Sequence, residues 1–254
     1  FWLGSSLQIA IEDRSMQAGL GFILTPVGLI ALLNFGIYSF LFHLVRLMNK
    51  HLGPGILFEY LIGKYFNPRE EDRIFLFIDL KSSTTIAEKI GHKTYSSLLQ
   101  ECFINLTKPL INYHGQVYQY VGDEVVITWK TNEGIRDNNC LHFFFLFLEE
   151  LEKNRTYFEE KYKVFPEFKA GVSSGMVTVA EVGELKSEIS FHGDVLNTAS
   201  RLQGLCNDYG KKMLISEFLY TEIDHTNQFE IKFIGDLQLK GKHKNVGIYS
   251  VNRI

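Results

Sequence analysis

A mixed α+β domain preceded by a membrane-spanning helix is the fold class this sequence predicts, and three observations predict it. Dense apolar strands end in lone aspartates at Asp79 and Asp123. From Arg73 to Ile254 amphipathic helical segments alternate with paired strands, an order that suits a sheet covered by helices. Between Arg14 and Arg46 there is no Asp, Glu, Lys or Arg, and the run GFILTPVGLIALLNFGIYSFLFHLV exceeds the ~20 apolar residues that cross a bilayer.

Taken in order, residues 1–14 form an extramembrane segment and residues 15–46 the transmembrane helix, with Pro26 and Gly28 as its expected kink sites. The apolar run is too long for a secretory signal core. Arg46, Lys50 and Lys64 follow the span, whereas Arg14 precedes it beside Glu12 and Asp13. This asymmetry places the C-terminal part on the cytoplasmic side of the inner membrane. Residues 47–72 read as a juxtamembrane coupler: Gly53-Pro54-Gly55 breaks the helix, Ile56 to Phe66 forms a short amphipathic segment, and Asn67-Pro68 breaks it again. The same segment suits a helix lying on lipid, given Leu57, Phe58, Tyr60, Leu61 and Tyr65. Because the chain begins at Phe1, an earlier part carrying further membrane helices or a sensor is expected.

Residues 73–254 form the C-terminal domain. Ile74-Phe75-Leu76-Phe77-Ile78 is a central strand buried on both faces, with Asp79 at its exit. Helices are expected from Ser83 to Ile90 and from Lys93 to Tyr113. Gln116 to Val121 and Glu124 to Trp129 form a hairpin whose two-residue turn, Gly122-Asp123, has glycine first. A long helix spans Asn139 to Lys161. Strands at Phe168 to Ser173 and Met176 to Val182 flank a turn at Ser174-Gly175. A helix opens near Asp194, a short strand covers Lys212 to Ile215, and a hairpin joins Phe229–Leu239 to Gly247–Val251. This order predicts helices on one side of an antiparallel sheet, an α+β domain of the ferredoxin-like kind.

Composition narrows the function. With 254 residues, 46% of them hydrophobic, and a net charge of -3, the chain buries a full core and offers no basic excess for nucleic acid. The three cysteines, Cys102, Cys140 and Cys206, lack metal-type spacing and suit a reducing compartment.

Two carboxylates at neighbouring strand ends, Asp79 and Asp123, suit a hard divalent cation. Asn197 and Arg201 stand at i, i+4 and share one helical face. The segments FLFIDLKSSTT, YVGDEVVITW and FHGDVLNTASRLQGL together resemble the class III nucleotide cyclase catalytic domain, over roughly Arg73 to Ile254. A diguanylate cyclase is the weaker match: Val121-Gly122-Asp123-Glu124 only partly echoes its hairpin, and the Asn197/Arg201 helix would go unexplained.

The resemblance implies cyclisation of a nucleoside triphosphate in a homodimer with shared sites. Asp79 and Asp123, with the backbone carbonyl of Ile78, would hold two Mg²⁺ or Mn²⁺ ions. Leu80, Lys81, Ser82, Ser83 and Thr84 join a strand to a helix start, whose free N–H groups favour phosphate. Arg201 would stabilise the pentacoordinate phosphorus. Asn197 would orient the ribose, and Lys240, or Lys242 in its place, would contact the terminal phosphates. Gln119 and Ser190 stand where the family's adenine readers are Lys and Asp. Amide and hydroxyl each donate and accept, so ATP and GTP both stay open. Neither residue is the Glu that guanylate cyclases of the family set against guanine, which favours ATP. A pseudo-cyclase that only binds nucleotide or dimerises is the alternative from another class, opposed by the joint presence of Asp79, Asp123, Asn197 and Arg201.

Overall fold

The computed structural model describes residues 25–53, 56–225, 227–238 and 245–254, and the chain divides into two units, 1–61 and 62–254. In the first, helix α1 (Pro26–Leu52) begins with Pro26 in its first turn, and Thr25 accepts a hydrogen bond from the Gly28 N–H. Pro26 therefore starts this helix instead of kinking it, since proline's missing N–H costs nothing there. The helix runs on past Arg46 and Lys50 to a cap at Gly53. Its 27 residues are long and apolar enough to cross a membrane, and its apolar side chains are exposed all round. A short helix, α2, covers Ile56–Leu61.

The second unit is built on the sheet order β2-β3-β1-β4-β6-β8-β7, with β5 paired to β4. The strands are β1 (Arg69–Leu80), β2 (Gln116–Val121), β3 (Glu124–Lys130), β4 (Phe168–Val182), β5 (Glu188–His192), β6 (Met213–Ser216), β7 (Phe229–Gln238) and β8 (Asn245–Arg253). Each neighbouring pair along β2, β3, β1 and β4 is antiparallel, which with their intervening helices gives the expected ferredoxin-like order. Strand β1 starts at Arg69, four residues before the expected boundary.

Helices α3 (Ser83–Ile90), α4 (His92–Ile104), α5 (Thr107–Tyr113), α6 (Asn139–Lys153) and α7 (Arg155–Tyr162) follow the strands. Each long helix read from the sequence is thus two. The first breaks at Asn105-Leu106, and the second at Asn154, whose side-chain amide donates to the Glu150 carbonyl. Ile74, Leu76 and Ile78 point to the face that buries Phe143, Phe144 and Phe147 of α6 with Leu98 and Cys102 of α4.

A further helix, α8 (Asp194–Leu205), lies on the opposite face, where Val195 and Ala199 pack with Phe75, Phe77 and Val126. The sheet therefore carries helices on both faces, not on one. Gly171 makes this close approach possible: a Cβ there would sit 2.2 Å from the Ala199 carbonyl oxygen and 2.2 Å from the Gln203 nitrogen.

No chain reversal occurs at Ser174-Gly175. Strand β4 is continuous for 15 residues and stays in register with β1 from Arg69↔Val179 to Leu80↔Phe168. Gly175 takes φ +146°, a conformation that side chains rarely adopt, and the strand continues through it. The real hairpin lies further on, between β4 and β5, and brings Phe191 over the sheet.

Candidate active site

Asp79 and Asp123 come together, as the sequence predicts. The Val121↔Glu124 pair closes the β2–β3 turn, and Gly122 supplies its positive φ of +62°. Across the sheet the register sets Glu124 on β3, Asp79 on β1 and Lys169 on β4 in one row. The Lys169 ammonium stands 3.4 Å from Asp79 Oδ2. Gln203, reaching down from α8, donates from Nε2 to the same oxygen at 2.6 Å.

Burial, reinforced by the charge of Asp123, holds the Asp79 carboxyl above its usual range, with Lys169 pulling the other way. Burial with the charges of Asp79 and Asp123 pushes Glu124 up to about 7. The phenol of Tyr95 on α4 is pushed up to about 12 by burial and Asp123, although a hydrogen bond with Ser83 opposes this. Asp123 and Glu124 thus each act on the charge of a neighbouring carboxylate, and Lys169 pairs with Asp79. Among the described residues no three acidic, His or Cys side chains form a ready metal cage, so the donors in hand are the Asp79 and Asp123 oxygens. The surplus negative charge and its all-oxygen donors fit a hard divalent ion better than a soft one.

Ile78 is wholly buried and Leu80 nearly so, which leaves their backbones to contribute. Ser82 adopts φ 56° and its side chain does not cap α3, so the first-turn N–H groups at Thr84 and Thr85 lack that partner. Lys81 pairs with Glu167 at 3.5 Å, and its backbone N–H donates to the Glu167 carbonyl at 2.8 Å.

Among the described residues no hydrogen bond or ion pair joins Asn197 or Arg201 to these carboxylates. Val195, Thr198, Ala199, Leu202 and Gln203 form the buried side of α8. Asn197 is exposed and Arg201 half-buried on the side away from the sheet.

Gln119 is exposed on β2, one residue past a register shift between Val117 and Gln119, and Ser190 is half-buried on β5 opposite Ala180. Their chain neighbours touch: the Tyr118 and Phe191 rings meet edge to face at 4.9 Å. Phe75 closes this cluster, and the Arg73 guanidinium lies 4.8 Å from the Phe191 ring. Lys240 and Lys242 lie outside the described residues.

Sequence reasoning missed Glu124, Lys169, Gln203 and Tyr95. Glu124 follows Asp123 directly and alternation along β3 signals its face. Lys169 is a lone cation at the mouth of the apolar β4 run. Nothing in the local pattern marks Gln203 or Tyr95.

The family described as "Adenylate and Guanylate cyclase catalytic domain" matches residues 67–253. The chain belongs to this family. The chain is 32% identical over 200 residues to adenylate cyclase 2 of Rhizobium meliloti (strain 1021), an alignment covering 79% of this chain and 55% of that protein. The chain therefore spans little more than half the length of that relative. A bacterial light-regulated adenylyl cyclase superposes with a TM-score of 0.74 at 19% identity, covering 91% of this chain and 67% of the other. The guanylate cyclase domain of RhGC from Catenaria anguillulae, solved in complex with GTP, gives a TM-score of 0.59 at 18% identity over 73% of this chain and 98% of that one. At those identities the two solved structures establish the cyclase fold alone.

Proposed function

We propose that the chain is a membrane-anchored adenylate cyclase that converts ATP to 3′,5′-cyclic AMP and pyrophosphate in a homodimer. The observation that carries this reading is the division of the cyclase residues between two surfaces. Asp79 and Asp123 cluster at the sheet end, while Asn197 and Arg201 project from the outer side of α8. One chain alone does not assemble them, whereas a two-fold dimer supplies each set to the other twice.

The 3′-oxygen of the ribose attacks the α-phosphorus, a new P–O bond forms, and the bond to the pyrophosphate oxygen breaks. Asp79 and Asp123, with the Ile78 carbonyl, would hold two Mg²⁺ or Mn²⁺ ions. Such ions lower the nucleophile's pKa and neutralise phosphate charge when bound. Leu80 to Thr84 lead the chain into the α3 N-terminus, where uncapped N–H groups receive phosphate oxygens. Arg201 stabilises the charge that grows at phosphorus, Asn197 fixes the ribose, and Lys240 contacts the terminal phosphates. Gln119 and Ser190 read the base beside the Tyr118–Phe191 pair.

A second reading, guanylate or mixed specificity, is supported by that same pair, because an amide and a hydroxyl each match either purine edge. The apolar, outward-facing α1 supports a lipid anchor, and the basic residues Arg46 and Lys50 in its C-terminal turns, with Lys64 beyond it, support a cytoplasmic cyclase domain.

The deciding experiment incubates purified protein with ATP or GTP and Mg²⁺ or Mn²⁺ and separates the products. It is paired with co-expression of Asp79→Ala and Arg201→Ala chains on two tags. Cyclic AMP from ATP supports the reading, and recovery of activity in the mixed dimer supports shared sites. Cyclic GMP alone would favour the second reading. Co-purifying but inactive mixed dimers would place the aspartates and Arg201 in one chain.

A further inference from the structure

We infer that Gln203 is a positioning residue for the metal-holding carboxylate Asp79, and that it couples α8 to that carboxylate. The inference rests on the metal-site reading above and names what orients it. Gln203 is 6% exposed, so its amide is committed to the interior. Its Nε2 donates to Asp79 Oδ2 at 2.6 Å. Lys169 reaches the same oxygen at 3.4 Å from the neighbouring strand. Two donors from different elements fix Oδ2, and neither takes Oδ1. A carboxylate gripped on one oxygen loses its freedom to rotate, and its second oxygen keeps a fixed direction for a cation.

The seat of Gln203 is built for this contact. Its backbone nitrogen rests where a Cβ on Gly171 would stand, at 2.2 Å, so the glycine sets the depth at which α8 lies on the sheet. Gly171 is two residues from Lys169, whose register partner is Asp79. A helix lifted by one side-chain layer would take the Gln203 amide out of reach. Outer partners of this kind hold a ligand's orientation, and their loss costs about 10- to 100-fold in metal affinity.

The test measures Mn²⁺ binding to the purified full chain without nucleotide, by the electron paramagnetic resonance signal of free Mn²⁺. Gln203→Leu and Gln203→Met, both of similar volume and without the donor, are compared with Asp79→Ala and wild type. Thermal melts check that each is folded. The expected result is a ~10-fold or greater rise in the Mn²⁺ dissociation constant for both Gln203 variants at nearly unchanged Tm. Their cyclase turnover at limiting Mn²⁺ falls and excess Mn²⁺ restores most of it, a response that a merely structural role would not give. If Asp79→Ala loses Mn²⁺ binding while folded Gln203 variants bind like wild type, the positioning role is overturned and the metal site stands. If Asp79→Ala binds Mn²⁺ as tightly as wild type, the metal site itself fails, and this inference with it.

Discussion

Asp79 and Glu124 stand directly opposite each other on β1 and β3, two carboxylates in one row of the sheet. Burial and its acidic neighbours disfavour the charged form of Glu124 and push it up to about 7 from the ordinary 4.5. The folded chain therefore holds a proton that the unfolded chain has released, and stability falls as pH rises through the window from 4.5 to about 7. Glu124→Gln removes the ionisation. In the presence of chelator, its Tm should exceed that of wild type by roughly 2–4 °C at pH 8 and by much less at pH 5. Melting curves at both pH values check the sign, and an advantage confined to pH 5 would contradict it.

On the proposed metal site, removing either aspartate loosens the hold on the ions that would offset phosphate charge. Asp79→Ala and Asp123→Ala should each lower cyclic nucleotide formation by at least ~10²-fold. Turnover of the purified variants near the wild-type rate would exclude the assignment.

The Tyr118 and Phe191 rings meet across one face of the sheet, and Gln119 and Ser190 are their chain neighbours. Replacing this ambiguous pair by the family's adenine readers, Gln119→Lys with Ser190→Asp, should raise the ratio of kcat/KM for ATP over GTP. Hydrogen-bond matches discriminate strongly when a mismatch leaves a buried group unpaired. An active double variant with an unchanged ratio would show that these side chains do not face the base.

Gly171→Ala should destabilise the domain by about 1–3 kcal/mol or more, because the new methyl meets backbone of α8 that cannot rotate away. Chemical denaturation measures the loss. A variant as stable as wild type would mean that the helix shifts freely on the sheet.

Much of this architecture was legible in the chain itself. The β2–β3 turn followed from Gly122-Asp123, the start of α3 from the strand end at Leu80, and the shared face of Asn197 and Arg201 from their spacing. Each is a local signal. Ser174-Gly175 misled for the same reason: the pair looks like a turn, yet twelve consecutive partners along β1 keep β4 extended through it. Glu124 and Lys169 become site residues only through register, which pairs them with Asp79 from positions far apart in the chain. Gln203 is legible only once the packing of α8 on Gly171 is known. The two helix breaks, at Asn105-Leu106 and Asn154, sit in segments whose apolar periodicity gave no sign of interruption.

Helix α8 turns Gln203 inward to its own Asp79 and Arg201 outward. In the proposed dimer, one rigid rod would then touch two catalytic centres, its own chain's through Gln203 and its partner's through Arg201. A tilt of that rod as a cation or nucleotide enters one centre would move a charged finger in the other. The two halves would work as a balance beam, in which neither pan can be loaded without the other registering the weight.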